Sequence, residues 1–195
     1  MLEGPDREAW QKPEEVMDAV GIADGTHVAD LGAGGGWFTV RLARRVGPNG
    51  IVYAEDIQRE MIAAIERRVQ SQGLRNVRTI LGTEDDPRLP PKSLDAILIV
   101  DSYHEMRAVR APVSLLRRCA MALRPGGKLG IVDFKKTGGG PGPLLTERVE
   151  PQTVIADAKA AGLVLIEQRN TLPYQYLLTF SPAPQAPGAA RKVRR

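Results

Sequence analysis

The sequence predicts an α/β fold: a mostly parallel sheet with helices on both faces and an antiparallel strand at one end. Three observations predict it. Short apolar runs alternate with amphipathic helical stretches along the 195 residues, the pattern of strands joined by crossover helices. The first run, His27 to Leu31, passes directly into a glycine-rich turn that opens a helix. The last two runs, Leu163 to Gln168 and Leu172 to Phe180, are joined by a turn short enough for a hairpin, which makes one of them antiparallel. The length suits one domain with a full core, and no internal repeat divides it.

In order, residues 1–12 form a leader, either frayed or docked on the body through Trp10. Pro13 to Val20 reads as a short helix with proline in its first turn and Gly21 as its stop. After the first strand, Gly36 to Val46 is amphipathic, and Gly47-Pro48-Asn49-Gly50 makes a turn. Ile51 to Glu55 is a second strand ending in Glu55-Asp56. Gln58 to Gln72 carries Met61, Ile62, Ile65 and Val69 on one helical face, with Gly73 closing it. Asn76 to Leu81 is a third strand, followed by a polar, proline-rich loop over 82–91. Leu94 to Val100 is nearly unbroken apolar sequence, as expected of a strand covered on both faces. Asp101 to Met106 is a loop, and Pro112 to Leu123 a helix stopped by Arg124-Pro125-Gly126-Gly127. Lys128 to Phe134 is the fifth strand, and Pro151 to Ala161 is a helix before the terminal hairpin. The segment 181–195 holds only Ser, Pro, Ala, Gly, Gln, Val and basic residues and reads as a disordered tail. The folded domain is therefore expected over 13–180.

Bulk composition narrows the function. Of the 27 Lys and Arg, four (Arg191, Lys192, Arg194 and Arg195) lie in the tail, and the remaining 23 balance the 23 Asp and Glu. A neutral body argues against a broad nucleic-acid surface, which needs clustered basic residues; only the tail offers such charge. No apolar run approaches a membrane span, and the polar, acidic start lacks the features of a secretory signal. Cys119 is the only cysteine, which excludes an internal disulfide and agrees with a cytoplasmic setting.

The stretch most loaded with chemistry is Val28-Ala29-Asp30-Leu31-Gly32-Ala33-Gly34-Gly35-Gly36-Trp37-Phe38. Glycines let a ligand approach the backbone closely, and a helix N-terminus offers unpaired N–H groups. A dinucleotide fingerprint wants a third glycine where Trp37 stands, and no Gly-Lys-Ser/Thr ending suggests a phosphate loop. Asp30, two positions before Gly32, suits a cation better than a pyrophosphate.

The pattern acid-x-Gly-x-Gly-x-Gly of Asp30, Gly32, Gly34 and Gly36 resembles motif I of the class I S-adenosylmethionine (SAM) methyltransferases. With the Leu123-Arg124-Pro125-Gly126-Gly127 turn, the body from Pro13 to Phe180 resembles the bacterial type 11 group, near the ubiquinone and menaquinone biosynthesis enzymes. The resemblance implies a Rossmann-like seven-stranded sheet of order 3-2-1-4-5-7-6 with strand 7 antiparallel. It implies SAM as cofactor, a small-molecule acceptor and a leader that acts as a lid. Asp30, Gly32, Ala33, Gly34 and Gly36 would hold the methionine end. Asp56, 24 positions after Gly32, would take the ribose hydroxyls, with Glu55 as the alternative and Ile57 beside them. Thr83, Glu84 or Asp85 would reach the adenine.

The loop after the fourth strand lies where ligands sit in open α/β sheets. Asp101 is placed there with the cofactor residues. His104 or Glu105 would act as base, and Tyr103 would offer an aromatic face to the sulfonium. The resemblance implies no metal: the metal-dependent catechol-type branch of the family carries a carboxylate after strand four and an Asp-Asn pair after strand five, and here Asp101 matches the first but Asp133 is followed by Phe134. A methyltransferase acting on protein or RNA through the basic tail, and a SAM- or nucleotide-binding protein without catalysis, stand as alternatives.

Overall fold

The structure, a computed structural model, describes Gly4 and residues 6–109, 112–137 and 139–184. Its strands are β1 (His27–Leu31), β2 (Ile51–Asp56), β3 (Val77–Leu81), β4 (Leu94–Val100), β5 (Leu123–Phe134), β6 (Leu163–Arg169) and β7 (Gln175–Pro182). They form one sheet of order β3-β2-β1-β4-β5-β7-β6. The strands from β3 to β5 are parallel, and β7 runs antiparallel to both neighbours.

The helices are α1 (Arg7–Gln11), α2 (Pro13–Val20), α3 (Trp37–Val46), α4 (Arg59–Ser71), α5 (Tyr103–Val109), α6 (Pro112–Ala122) and α7 (Pro151–Ala160). Period-two alternation in β4 divides the core. Ala96, Leu98 and Val100 join the cluster under α2 and α3, whereas Ile97 and Ile99 join the cluster under α5, α6 and α7. Both faces are covered, which explains why β4 is apolar apart from Asp95. Cys119 of α6 is fully buried in the second cluster, and burial pushes its thiol up to about 12.

Three elements differ from expectation. Residues 103–106, read as part of a loop, open α5 (Tyr103–Val109); the helix has no glycine or proline, and Met106 N–H donates to Ser102 O. The Arg-Pro-Gly-Gly turn lies inside β5. The β4–β5 register jumps from Leu94↔Leu123 to Ala96↔Lys128, and Arg124 holds the bulge by pairing with Asp95 at 2.9 Å and donating to Ser93 O. Finally, β7 begins at Gln175, past Pro173, which lacks a ladder donor. It runs on to Pro182, so Ser181 pairs with Val164, and Ala183 N–H donates to Gly162 O. The expected tail therefore begins too early at 181, and residues 185–195 lie outside the described residues.

Leader residues 6–12 meet the body. Arg7, Trp10 and Gln11 of α1 are buried, and Trp10 packs 6.1 Å from Phe134 and 6.3 Å from Tyr174 between ring centroids. Among the described residues no helix is long and apolar enough to cross a membrane.

Candidate functional site

The chain reverses its order across the sheet between β1 and β4, and a cavity opens at the carboxyl ends of β1, β2 and β4, as expected at a topological switch point. Its volume is about 650 Å³. The turn after β1 forms one wall. Gly32 has φ +70°, and a Cβ there would meet Met106 Cε and Ser102 Oγ at 2.7 Å, so both backbone conformation and α5 packing demand glycine. Gly34 has φ +53°, and a Cβ there would have nothing within 4 Å, so its backbone faces open space.

Three carboxylates converge on this turn. Asp30 is 2% exposed and its Oδ2 accepts the Thr39 hydroxyl at 2.6 Å. Burial pushes it up to about 6, while Thr39 and the Arg7 charge pull the other way. Glu55 Oε2 accepts Gly32 N–H at 3.3 Å. Asp56 accepts Gly34 N–H on Oδ2 and Gln58 N–H on Oδ1, both at 2.9 Å. Both acids line the cavity, although strand alternation predicts one; β2 ends at this pair and bends into the turn.

Asp101 follows β4 in the left-handed region at φ +59°. It is bound into a closed ring of buried side chains. Arg7 Nη2 donates to Asp101 Oδ2 at 2.8 Å and Arg7 Nε to Gln11 Oε1 at 3.1 Å. Gln11 donates to Gln175 at 2.7 Å, and Gln175 donates back to Asp101 Oδ1. Burial pushes Asp101 up to about 7 against the pull of Arg7, with Asp133 adding to the rise. The Arg7 guanidinium lies 4.2 Å from the centre of the Trp37 ring, and Arg41 lies 3.4 Å from it. Arg7 is the one basic residue among the described residues lining the cavity.

Asp30, Gly32, Ala33, Gly34, Glu55, Asp56, Ile57, Asp101 and Glu105 thus meet at one cavity. The other expected residues do not. Gly36 caps α3 behind the turn, where a Cβ would stand 3.2 Å from Ile65 Cγ1. Thr83, Glu84 and Asp85, expected near adenine, do not line this cavity: their loop folds on itself, with Thr83 Oγ1 donating to Asp85 Oδ1 at 3.0 Å. Tyr103 also lies elsewhere. Its ring is buried in the core, its hydroxyl donates to Asp157 Oδ2 at 3.0 Å, and it lines no part of this cavity. His104 lies on the far side of α5, lining a second cavity of about 560 Å³. Its Nδ1 is 2.9 Å from Asp133 Oδ1.

Arg7, Trp37 and Asp133 are missed by sequence reasoning. Trp37 lies inside the motif but reads only as a departure from another fingerprint. Arg7 and Asp133 act through partners 94 and 29 positions away, and nothing local signals such pairing.

A cavity with buried acids raised toward neutrality, an open glycine backbone and the half-exposed Ile57 fits a ligand that is cationic at one end and flat and apolar at the other. SAM has that chemistry. Residues 28–127, just over half the chain, match the family model described as a methyltransferase domain. A demethylmenaquinone methyltransferase from Anoxybacillus flavithermus is 29% identical over 121 residues, covering 62% of this chain and 49% of that protein. Nocamycin O-methyltransferase from Saccharothrix syringae is 33% identical over 135 residues, covering 68% of this chain and 44% of that protein. The chain spans about half the length of these curated relatives. A crystal structure of a SAM-dependent methyltransferase from Aquifex aeolicus superposes with a TM-score of 0.85 at 28% identity, covering 92% of this chain and 94% of that one. Fold, motif and matched family agree: the chain belongs to the methyltransferase-domain family, in its class I, SAM-dependent group.

Proposed function

We propose that the protein transfers a methyl group from SAM to a small-molecule acceptor. The observation that carries this reading is the cavity at the ends of β1, β2 and β4, with Asp30, Asp56 and an open Gly34 backbone on its walls. The two curated relatives, named for demethylmenaquinone and for nocamycin, support a small molecule. When bound, SAM supplies a methyl group made electrophilic by the sulfonium, open to in-line displacement.

The chain's own residues bind and orient. Asp30 takes the ammonium of the methionine end, a cation that lowers the cost of ionising a buried carboxylate. Asp56, fixed by two backbone N–H groups, accepts from the ribose hydroxyls. Ile57 and Met61 form the apolar wall for adenine in place of the loop at 83–85. Trp37 and α1 exclude water. Most of the rate comes from alignment in a dry site, with His104 or Glu105 taking an acceptor proton.

Calorimetric titration with SAM, S-adenosylhomocysteine (SAH) and NADH tests the reading. Binding of the first two and not the third is expected. Absence of SAM and SAH binding would refute it.

A further inference from the structure

We propose that the amino ends of β2 and β3 carry a second binding site, apart from the cofactor cavity, for a small polyphosphate anion. The proposal stands independently of the methyl-transfer reading above.

A cleft of about 500 Å³ opens at this end of the sheet, a size common among small-molecule sites. Its walls are the last turn of α3, the turn over 47–50, the first residue of β2 and the connection from α4 into β3. It shares no lining residue with the cofactor cavity, which lies at the carboxyl ends of the strands. Asn76 fixes its shape, because Nδ2 donates to the carbonyls of Ala43 and Gly47, both at 2.8 Å. The same bonds occupy carbonyls at the end of α3 that would otherwise repel an anion.

Every charged residue in the lining is an arginine: Arg44 from α3, Arg75 from the α4–β3 turn and Arg78 from β3. None of the three pairs with a carboxylate among the described residues. Arg44 donates to the neutral Gln72 at 2.5 Å, and the Arg78 guanidinium lies 5.9 Å from the centre of the Tyr53 ring. Asp24 stands beside Gly47 but outside the lining. The other arginines of α3 are neutralised, Arg41 by Glu8 and Arg45 by Glu14 and Asp18.

Roles in the fold leave this grouping unexplained. A cation in a last helical turn offsets the helix dipole, which accounts for Arg44. A charge on an edge strand deters pairing with another chain, which accounts for Arg78. Arg75 does neither, and neither role calls for three cations around one cleft without an acid. Like charges held together raise the local potential, and a bound anion relieves it.

The donor set gives the ligand class. A guanidinium fork binds carboxylate or phosphate in a bidentate way. A carboxylate offers two coplanar oxygens and suits one fork. A phosphate chain surrounds each phosphorus with oxygens, so adjacent groups engage several forks. Pro48, Ile51 and Leu74 add apolar surface for an attached organic body. A cluster confined to one cleft on a body of balanced charge suits a compact anion over a long nucleic-acid backbone.

The test uses the ¹⁵N-labelled full chain saturated with SAH, which fills the cofactor cavity, in about 0.15 M KCl to screen diffuse attraction. The probes are orthophosphate, tripolyphosphate, ADP, citrate and a short oligouridylate. Expected are saturable amide shifts at Gly50, Gly73 and Asn76 with tripolyphosphate and ADP, each binding more tightly than orthophosphate or citrate. The double variant Arg75→Ala, Arg78→Ala should weaken both by about 10-fold or more with SAH affinity unchanged. The double variant Arg67→Ala, Arg117→Ala removes two exposed arginines outside the cleft and should leave binding intact. Absence of saturable shifts, equal loss in the two double variants, tighter binding of citrate, or a response to the oligouridylate alone would overturn the proposal. Shifts confined to residues 185–195, or to Gly34 and Ile57 of the cofactor cavity, would overturn it as well. Failure of SAH to bind would strike the methyl-transfer reading and leave the amide map of the cleft to decide this one.

Discussion

Asp56 ties two turns together with one carboxylate, holding Gly34 N–H on one oxygen and Gln58 N–H on the other. Charged hydrogen bonds are worth about 1.5–3 kcal/mol. Asp56→Ala is therefore expected to weaken SAH binding by about 10- to 100-fold in calorimetry. Gly32→Ala tests the turn differently. It forces a side chain into a left-handed backbone and into Met106 and Ser102, and a loss of about 2–4 kcal/mol is expected in chemical denaturation. Asp30 makes binding pH-dependent. Its folded value of about 6 lies above the ordinary 3.8, so part of the population is protonated at pH 6. A bound ammonium favours the ionised form. Binding should release protons near pH 6 and cease to do so at about pH 8. Calorimetry in buffers of different ionisation enthalpy reads this directly, and Asp30→Asn should reduce it to the share that Asp101 contributes.

At the scale of elements, α5 borders two cavities, and β5 supplies the acid behind His104. Burial lowers the His104 value, but the Asp133 hydrogen bond and charge, with Glu105 and Asp101, raise it above 6.5 overall. Arg107 and Lys136 are the exposed cations of the cavity that His104 lines, and Arg148 is its buried one. Stability from the protonated dyad is therefore full below 6.5 and is lost as pH rises through the higher folded value. An NMR titration of His104 should have its midpoint above 6.5, and Asp133→Asn should lower it. Much of this architecture is legible in the sequence, and the reason is locality. Asp30, Gly32, Gly34 and Asp56 stand at spacings set by one strand, one turn, one crossover helix and the next strand, a single local unit whose geometry fixes their separation. The pairs Arg7–Asp101 and His104–Asp133 join separate elements, and their spacing carries no such information. Helix α5 is hidden because seven residues hold too little periodicity to outweigh the expectation of a loop after β4.

For the whole molecule, the sheet is continuous to Pro182, so the cut that tests the basic tail belongs after residue 184. Removing 185–195 is expected to leave SAH affinity and small-molecule methylation unchanged. Retained SAH affinity with loss of activity on RNA or protein would favour a macromolecular acceptor. A cut at Ser181 would confound the result, since it removes the Leu163↔Pro182 and Val164↔Ser181 pairs. The same global cooperativity gives Cys119 a practical use. A single thiol sealed between α6 and the sheet reacts with a disulfide reagent only when the core opens, because reaction needs the accessible thiolate. Its labelling rate is a clock for that opening. Any ligand held by the native state alone slows the clock by the factor one plus its concentration over Kd. Cofactor affinity can then be timed on the unmodified chain with no acceptor identified.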